Sequence, residues 1–177
     1  MRILASVLAL VAASSVFAGT PTTADLLKKA STTAKKDGKN VLVIFHASWC
    51  GWCHRFDKFL DTTDEGKLVK GALEVVHITV QEDPKHKADE NAGGIELMEK
   101  LGGKMAGLPF MAILDAKTGK MIVNSLRTSG DARTNTGYPA APEEVSHFAK
   151  MLKLGAPKMG DGSVSKVSGW LTATAPK

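Results

Sequence analysis

The chain has 177 residues, 44% of them hydrophobic and 23% charged, which is one domain's worth with enough apolar material for a core of its own. Its net charge of +5 comes from scattered lysines (Lys28, Lys29, Lys35, Lys36, Lys85, Lys87, Lys150, Lys153) without an arginine cluster, which argues for a solvated surface and against nucleic acid as a partner. Only two cysteines are present, three positions apart, which excludes a small disulfide scaffold: so short a loop constrains little of the unfolded chain.

Met1 and Arg2 form a short positive start, Ile3 to Ala13 an apolar run, and Ser14 to Ala18 a small-residue end with Val16 and Ala18 where a signal peptidase reads. This is the pattern of a secretory signal peptide cut after Ala18. The run is shorter than the roughly 20 residues a spanning helix needs, so an uncleaved anchor is the weaker alternative. Loss of Arg2 takes the side-chain charge from +5 to +4. No cysteine follows the cut to carry a lipid, and no later segment is long and apolar enough to cross a membrane. The expected organisation is a signal peptide over 1–18, one domain over 19–157 and a C-terminal tail over 158–177. The expected location is periplasmic or secreted, soluble after cleavage.

Thr22 to Asp37 reads as a helix capped by Thr22 or Thr23 and stopped by Asp37-Gly38-Lys39-Asn40. Val41 to Phe45 is a continuous β-branched and aromatic run, as in a strand buried on both faces. Cys53 to Leu60 reads as a helix, and Thr62 and Glu65 have capping-box spacing for a further short helix through Lys70. Leu73 to Val80 is a second strand, Lys85 to Gly94 a polar loop, and Ile95 to Leu101 a short helix ended by Gly102-Gly103. Phe110 to Leu114 and Met121 to Ser125 form a hairpin. Leu126 to Ala141 is a long loop, and Pro142 opens a helix to about Leu154. Gly160 to Lys177 shows no periodicity: it is either disordered or docked by Trp170-Leu171. Strands alternating with helices, then a hairpin, predict an α/β domain: a parallel strand pair extended by antiparallel strands, flanked by helices.

The chemistry sits in Ser48-Trp49-Cys50-Gly51-Trp52-Cys53-His54. Three readings compete. As a redox couple, Cys50 at a helix N-terminus is the thiolate nucleophile, because unpaired N–H groups and the helix dipole favour its anion; Cys53, one turn on and more buried, resolves the mixed disulfide. As a c-type haem site, Cys50-x-x-Cys53-His54 is complete, with Met98, Met105 or Met111 as a second axial ligand. Against haem, the motif follows a buried-type strand. As a zinc site, Cys50 and Cys53 would join His46 or His54, but a second ligand pair at comparable spacing is missing.

Val41 to Phe45 followed by Ala47-Ser48-Trp49-Cys50-Gly51-Trp52-Cys53 closely resembles the active-site strand and loop of the thioredoxin superfamily. Gly107-Leu108-Pro109-Phe110 matches a second family motif, a cis-proline facing the cysteines. The resemblance spans about 25–154 and implies a thioredoxin fold. It implies a substrate surface of Trp49, Gly51, Trp52, Leu108 and Pro109, with the Leu108 backbone exposed to pair with a bound strand. Among exported members the chain looks most like periplasmic reductase domains fed by a membrane electron conduit. Two departures stand out. Trp52 replaces the family's proline between the cysteines, and Ile44 replaces its buried aspartate, with His77 at the lysine that pairs with it. His54 and His77 are therefore the candidates for proton transfer, weighed against a surface role for His54 and a core or edge role for His77.

The resulting expectation is an exported thiol–disulfide oxidoreductase, with reduction of protein disulfides favoured over oxidation. The redox couple is intrinsic, so no metal or organic cofactor is expected. The partners are disulfide-bearing proteins and a recycling redox partner. The alternatives are the haem protein and a thioredoxin-fold binding module with inert cysteines.

Overall fold

The central strand β1 (Asn40–His46) is buried from Val41 to Phe45 and feeds two cores at once. Leu42 and Ile44 point into one apolar cluster and Val41, Val43 and Phe45 into the other, as the two-residue period of a strand requires. The computed structural model describes residues 19–176; the expected signal peptide, 1–18, lies outside the described residues.

Around β1 the four-stranded sheet has the order β2-β1-β3-β4, with β2 (Leu73–Thr79), β3 (Phe110–Leu114) and β4 (Met121–Asn124). β2 runs parallel to β1, whereas β3 is antiparallel to both β1 and β4. The mixed sheet expected from the sequence is therefore present. Helices cover both faces. α1 (Thr23–Asp37) and α4 (Gly94–Lys100) pack on the face of Val43 and Phe45. α2 (Gly51–Thr62), α3 (Asp64–Ala72), α5 (Pro142–Gly155) and α6 (Asp161–Ala173) pack on the face of Leu42 and Ile44. α1 begins at Thr22, whose hydroxyl accepts the Asp25 amide, and ends at Gly38 in the left-handed conformation (φ 61°).

Two expectations are corrected. α2 runs on through Thr62, whose hydroxyl donates back to the Lys58 carbonyl, so the cap of α3 is Thr63 and not a Thr62/Glu65 box. The Thr63 hydroxyl accepts the Gly66 amide at 2.9 Å, while its own amide donates to Phe59 at the end of α2. At this corner the chains come so close that a Cβ on Gly66 would land on the Phe59 carbonyl. The second correction is that the tail is helical; its docking through Trp170 and Leu171 is the alternative the sequence left open. Residues 161–173 form α6, with Val164, Val167 and Leu171 buried and the Trp170 ring 5.2 Å from that of Phe59. The apolar positions keep a helical spacing, but serines, glycines and threonines between them lower helix propensity and dilute the signal. Packing on α3 and α5 supplies the stability that propensity lacks.

Leu171→Ala is expected to cost about 2–5 kcal/mol in urea unfolding, the range for emptying a buried leucine site. An unchanged midpoint would mean that α6 is not docked. Gly66→Ala is expected to cost about 1–3 kcal/mol through backbone displacement at the α2–α3 corner.

Candidate active site

β1 ends at His46, and a tight turn, with the Cys50 amide donating to the Ala47 carbonyl at 3.1 Å, delivers Cys50 to the N-cap of α2. The Cys50 sulfur accepts the Cys53 amide at 3.1 Å, so an orphan donor of the first helical turn is aimed at it. Cys50 and Cys53 are joined as a disulfide and are 4% and 1% exposed. Both sulfurs are thus committed to each other, and His54 is turned away: its Nε2 donates to the Ser48 carbonyl at 2.7 Å. Among the described residues no three His, Cys, Asp or Glu side chains gather in a metal-binding arrangement.

The second motif arrives from the other side. Leu108 packs against the cluster of Ala47, Cys50 and Cys53, and the Leu108–Pro109 peptide bond is cis. This loop is held by a polar chain that runs from the surface into the core. Asn135 donates through Nδ2 to the Gly107 carbonyl (2.7 Å) and the Pro109 carbonyl (3.1 Å). Its Oδ1 accepts from Ser125 Oγ at 2.6 Å, and Ser125 Oγ accepts the Met111 amide at 2.9 Å. Ser125 is fully buried, so its bond with the Met111 amide replaces a water that has no access.

Ser48 is gripped from two sides. Glu82, buried at the end of the loop after β2, accepts the Ser48 amide and hydroxyl, each at 2.6 Å, and His54 holds the carbonyl. Trp49 donates its indole N–H to the Gln81 carbonyl at 2.7 Å yet remains 56% exposed; Trp52 is 49% exposed. Gly51 opens α2 at the surface. Of the five residues expected to form a substrate surface, Trp49, Gly51 and Trp52 adjoin the cysteines in the chain, Leu108 packs on them and Pro109 follows it; a cleft of about 480 Å³ lined by Trp52, Leu108, Thr136 and Tyr138 lies beside them.

Beneath the motif, Ile44 is paired with His77 of β2, an edge strand. His77 Nε2 donates to Asp57 at 2.8 Å, and Asp57 stands one turn beyond Cys53 on α2. The His46 ring lies 5.0 Å from that of His77. Burial, then the neighbouring His77, push His46 below its ordinary value; Asp57 and Glu82 oppose this and His54 adds to it. For Asp57, burial pushes upward, but the His77 hydrogen bond and the charges of His77, His46 and His54 outweigh it and hold the carboxyl low. The sequence offered His77 but not Asp57, whose partnership needs α2 and β2 side by side. It also missed Asn135 and Tyr138, which sit in a loop without a pattern. Tyr138, the chain's one tyrosine, stacks on Trp52 at 5.9 Å.

Residues 23–116 match the profile of a family described as thioredoxin-like. Among solved structures the chain is similar to a disulphide isomerase from Xylella fastidiosa Temecula1, at 23% identity over 93% of this chain and 98% of that one, with a TM-score of 0.49. It is also similar to a DsbH oxidoreductase (23% identity, 75% and 83% covered, TM-score 0.43). A thioredoxin from Thermus thermophilus follows at 19% identity, 75% and 82% covered, TM-score 0.43. No curated protein matches.

Ser125→Ala is expected to cost about 1–3 kcal/mol, because it strands the buried Met111 amide; denaturant unfolding checks it. The depressed His46 gives a pH dependence of known sign. Above the unfolded value of 6.5 the stabilisation is complete, and it declines as pH falls through 6.5 toward the lower folded value, because only the unfolded chain takes up the proton. The urea midpoint should thus fall on acidification from pH 7 to 5.5, and His46→Asn should flatten that slope.

Proposed function

The chain belongs to the thioredoxin-like family, and from that premise we propose that it is an exported thiol–disulfide oxidoreductase that reduces protein disulfides through Cys50 and Cys53. The observation that carries this reading is Cys50 at the N-cap of α2, its sulfur facing the Cys53 amide and disulfide-bonded to Cys53, with Leu108 packed against the pair.

In the reduced protein the same amide and the helix dipole favour the Cys50 thiolate. This thiolate attacks one sulfur of a substrate disulfide; a mixed disulfide forms and the first substrate thiol leaves. The substrate segment lies over Trp49, Gly51, Trp52, Leu108 and Pro109, paired with the Leu108 backbone. Cys53 gives up its proton and attacks the Cys50 sulfur; the second substrate thiol leaves, and the Cys50–Cys53 disulfide remains. Two electrons have passed to the substrate. The pair needs no metal or organic cofactor, and a dithiol partner, such as a membrane electron conduit, returns it to the dithiol form.

For the Cys53 proton the candidate base is the Asp57–His77 pair, with Asp57 one helical turn along α2. His54, with its Nε2 donating to Ser48, is better suited to holding the loop. Export rests on the sequence pattern of residues 1–18. No helix among the described residues is long and apolar enough to cross a membrane.

Cys53→Ser is expected to accumulate a mixed disulfide with a protein substrate, released by dithiothreitol, and Cys50→Ser to form none; equal trapping by both would refute the assigned roles. Alkylation of the reduced protein should reach half its maximal rate well below the ordinary thiol value of about 8.5. The reduction potential decides direction. A value near −270 mV supports the reductase, and one near −120 mV would make the protein a disulfide donor, by the general scale for such pairs of about 30 mV per tenfold in equilibrium. His77→Ala should slow resolution of the mixed disulfide and shift its pH profile, and an unaltered profile would remove His77 from the proton path.

A further inference from the structure

A second, larger cleft of about 880 Å³ runs along the outer face of α2. It starts at Gly51 and Trp52, beside the disulfide, and ends at Thr62 and Thr63, where the C-terminal end of α6 closes it. α6 lies beyond the family match at 23–116. The cleft is walled by aromatic rings: Trp52 and Tyr138 near the cysteines, Phe59 and Trp170 farther on.

Its fixed charges are of one sign. Arg55 lies over the Trp52 and Tyr138 rings, 5.9 and 5.3 Å from their centroids, and Lys58 follows one turn later. Among the described residues no Asp or Glu side chain lines the cleft. The two acidic residues of α2 are used elsewhere, Asp57 against His77 and Asp61 against Lys70. A guanidinium over two rings keeps N–H groups for a carboxylate, beside apolar faces that would hold a flat or aliphatic group. The twelve residues of α2 make a wall of roughly 18 Å, the span of about five residues of extended chain.

We propose that this cleft docks a segment of the partner protein adjoining its reactive cysteine, a segment that carries acidic side chains next to aromatic or aliphatic ones. The proposal rests on the thiol–disulfide reading above and deepens it by assigning a substrate class. The two clefts share Trp52 and Tyr138. A chain pinned at Cys50 therefore has one flank on the Leu108 side and the other along α2. The cationic lining selects acidic flanks, and the aromatic walls select apolar ones.

The test uses two fluorescein-labelled nonapeptides with a central serine in place of cysteine. In one, both flanks hold two glutamates, a phenylalanine and a leucine; in the other, lysines replace the glutamates. Their affinities for the oxidised protein are measured by anisotropy, while turnover of the neutral bis(2-hydroxyethyl) disulfide by the reduced protein is followed separately. The acidic peptide should bind roughly tenfold tighter, with the margin shrinking in salt. Arg55→Glu should abolish or reverse the preference. Lys58→Glu, which disturbs no ring contact, should at least halve it, and Trp170→Ala should weaken binding of the acidic peptide. Equal binding of the two peptides, or a preference that survives both charge reversals, overturns the proposal. So does phenylacetate binding as tightly as the acidic peptide, which would assign the cleft to a small aromatic anion. Peptide preference without disulfide turnover would sustain the cleft and refute the reductase; turnover without preference would do the reverse.

Discussion

The antiparallel pairing of β1 with β3 is the constraint on which the site depends. Its last registered pair is Phe45 with Phe110. Because the strands run in opposite directions, whatever follows β1 must meet whatever precedes β3. The first is the cysteine loop and the second is Gly107-Leu108-Pro109, and Leu108 reaches the disulfide for that reason. Burial on both faces of β1 and β3 makes the register hard to shift, since each residue is committed to one of two cores.

Once the two loops are at one end of the sheet, side-chain hydrogen bonds hold them there. Glu82 and His54 grip Ser48 on the cysteine side, and Asn135 grips Gly107 and Pro109 on the other. The residues that do this come from the ends of β2, α2 and the loop before α5. The surroundings of Cys50 are thereby built from rigid elements, and the exposed rings of Trp49 and Trp52 are left at the rim.

The core beneath the motif is apolar where the family resemblance places an acid. Ile44 buries cleanly, and the ionisable groups move to the sheet edge, where Asp57 and His77 pair in a partly solvated position and His46 sits against them. A carboxylate satisfied by a hydrogen-bonded imidazole costs less to retain there than an isolated one in the core. The arrangement keeps a base one turn from Cys53 without burying an unpaired charge.

Local patterns in the sequence were enough for the helices and strands through α5, the mixed sheet, and the two motifs with Cys50, Cys53, Leu108 and Pro109. These follow from alternation, helical spacing, caps and turn residues, all of which act over a few positions. The cap at Thr63 and the α6 helix were misjudged, because a backbone contact at Gly66 and packing by Val164, Val167 and Leu171 decide them. Asp57 opposite His77, Asn135 on the Pro109 loop, Arg55 over Tyr138 and the cleft between α2 and α6 belong to the tertiary structure alone. Each joins residues far apart in the chain whose types are ordinary by themselves; only the packing of helices on the sheet sets their distances. The sequence by itself thus determined the cysteine pair and the strand and helix that carry it, and the tertiary structure decided what surrounds that pair, because proximity between distant segments has no local signature.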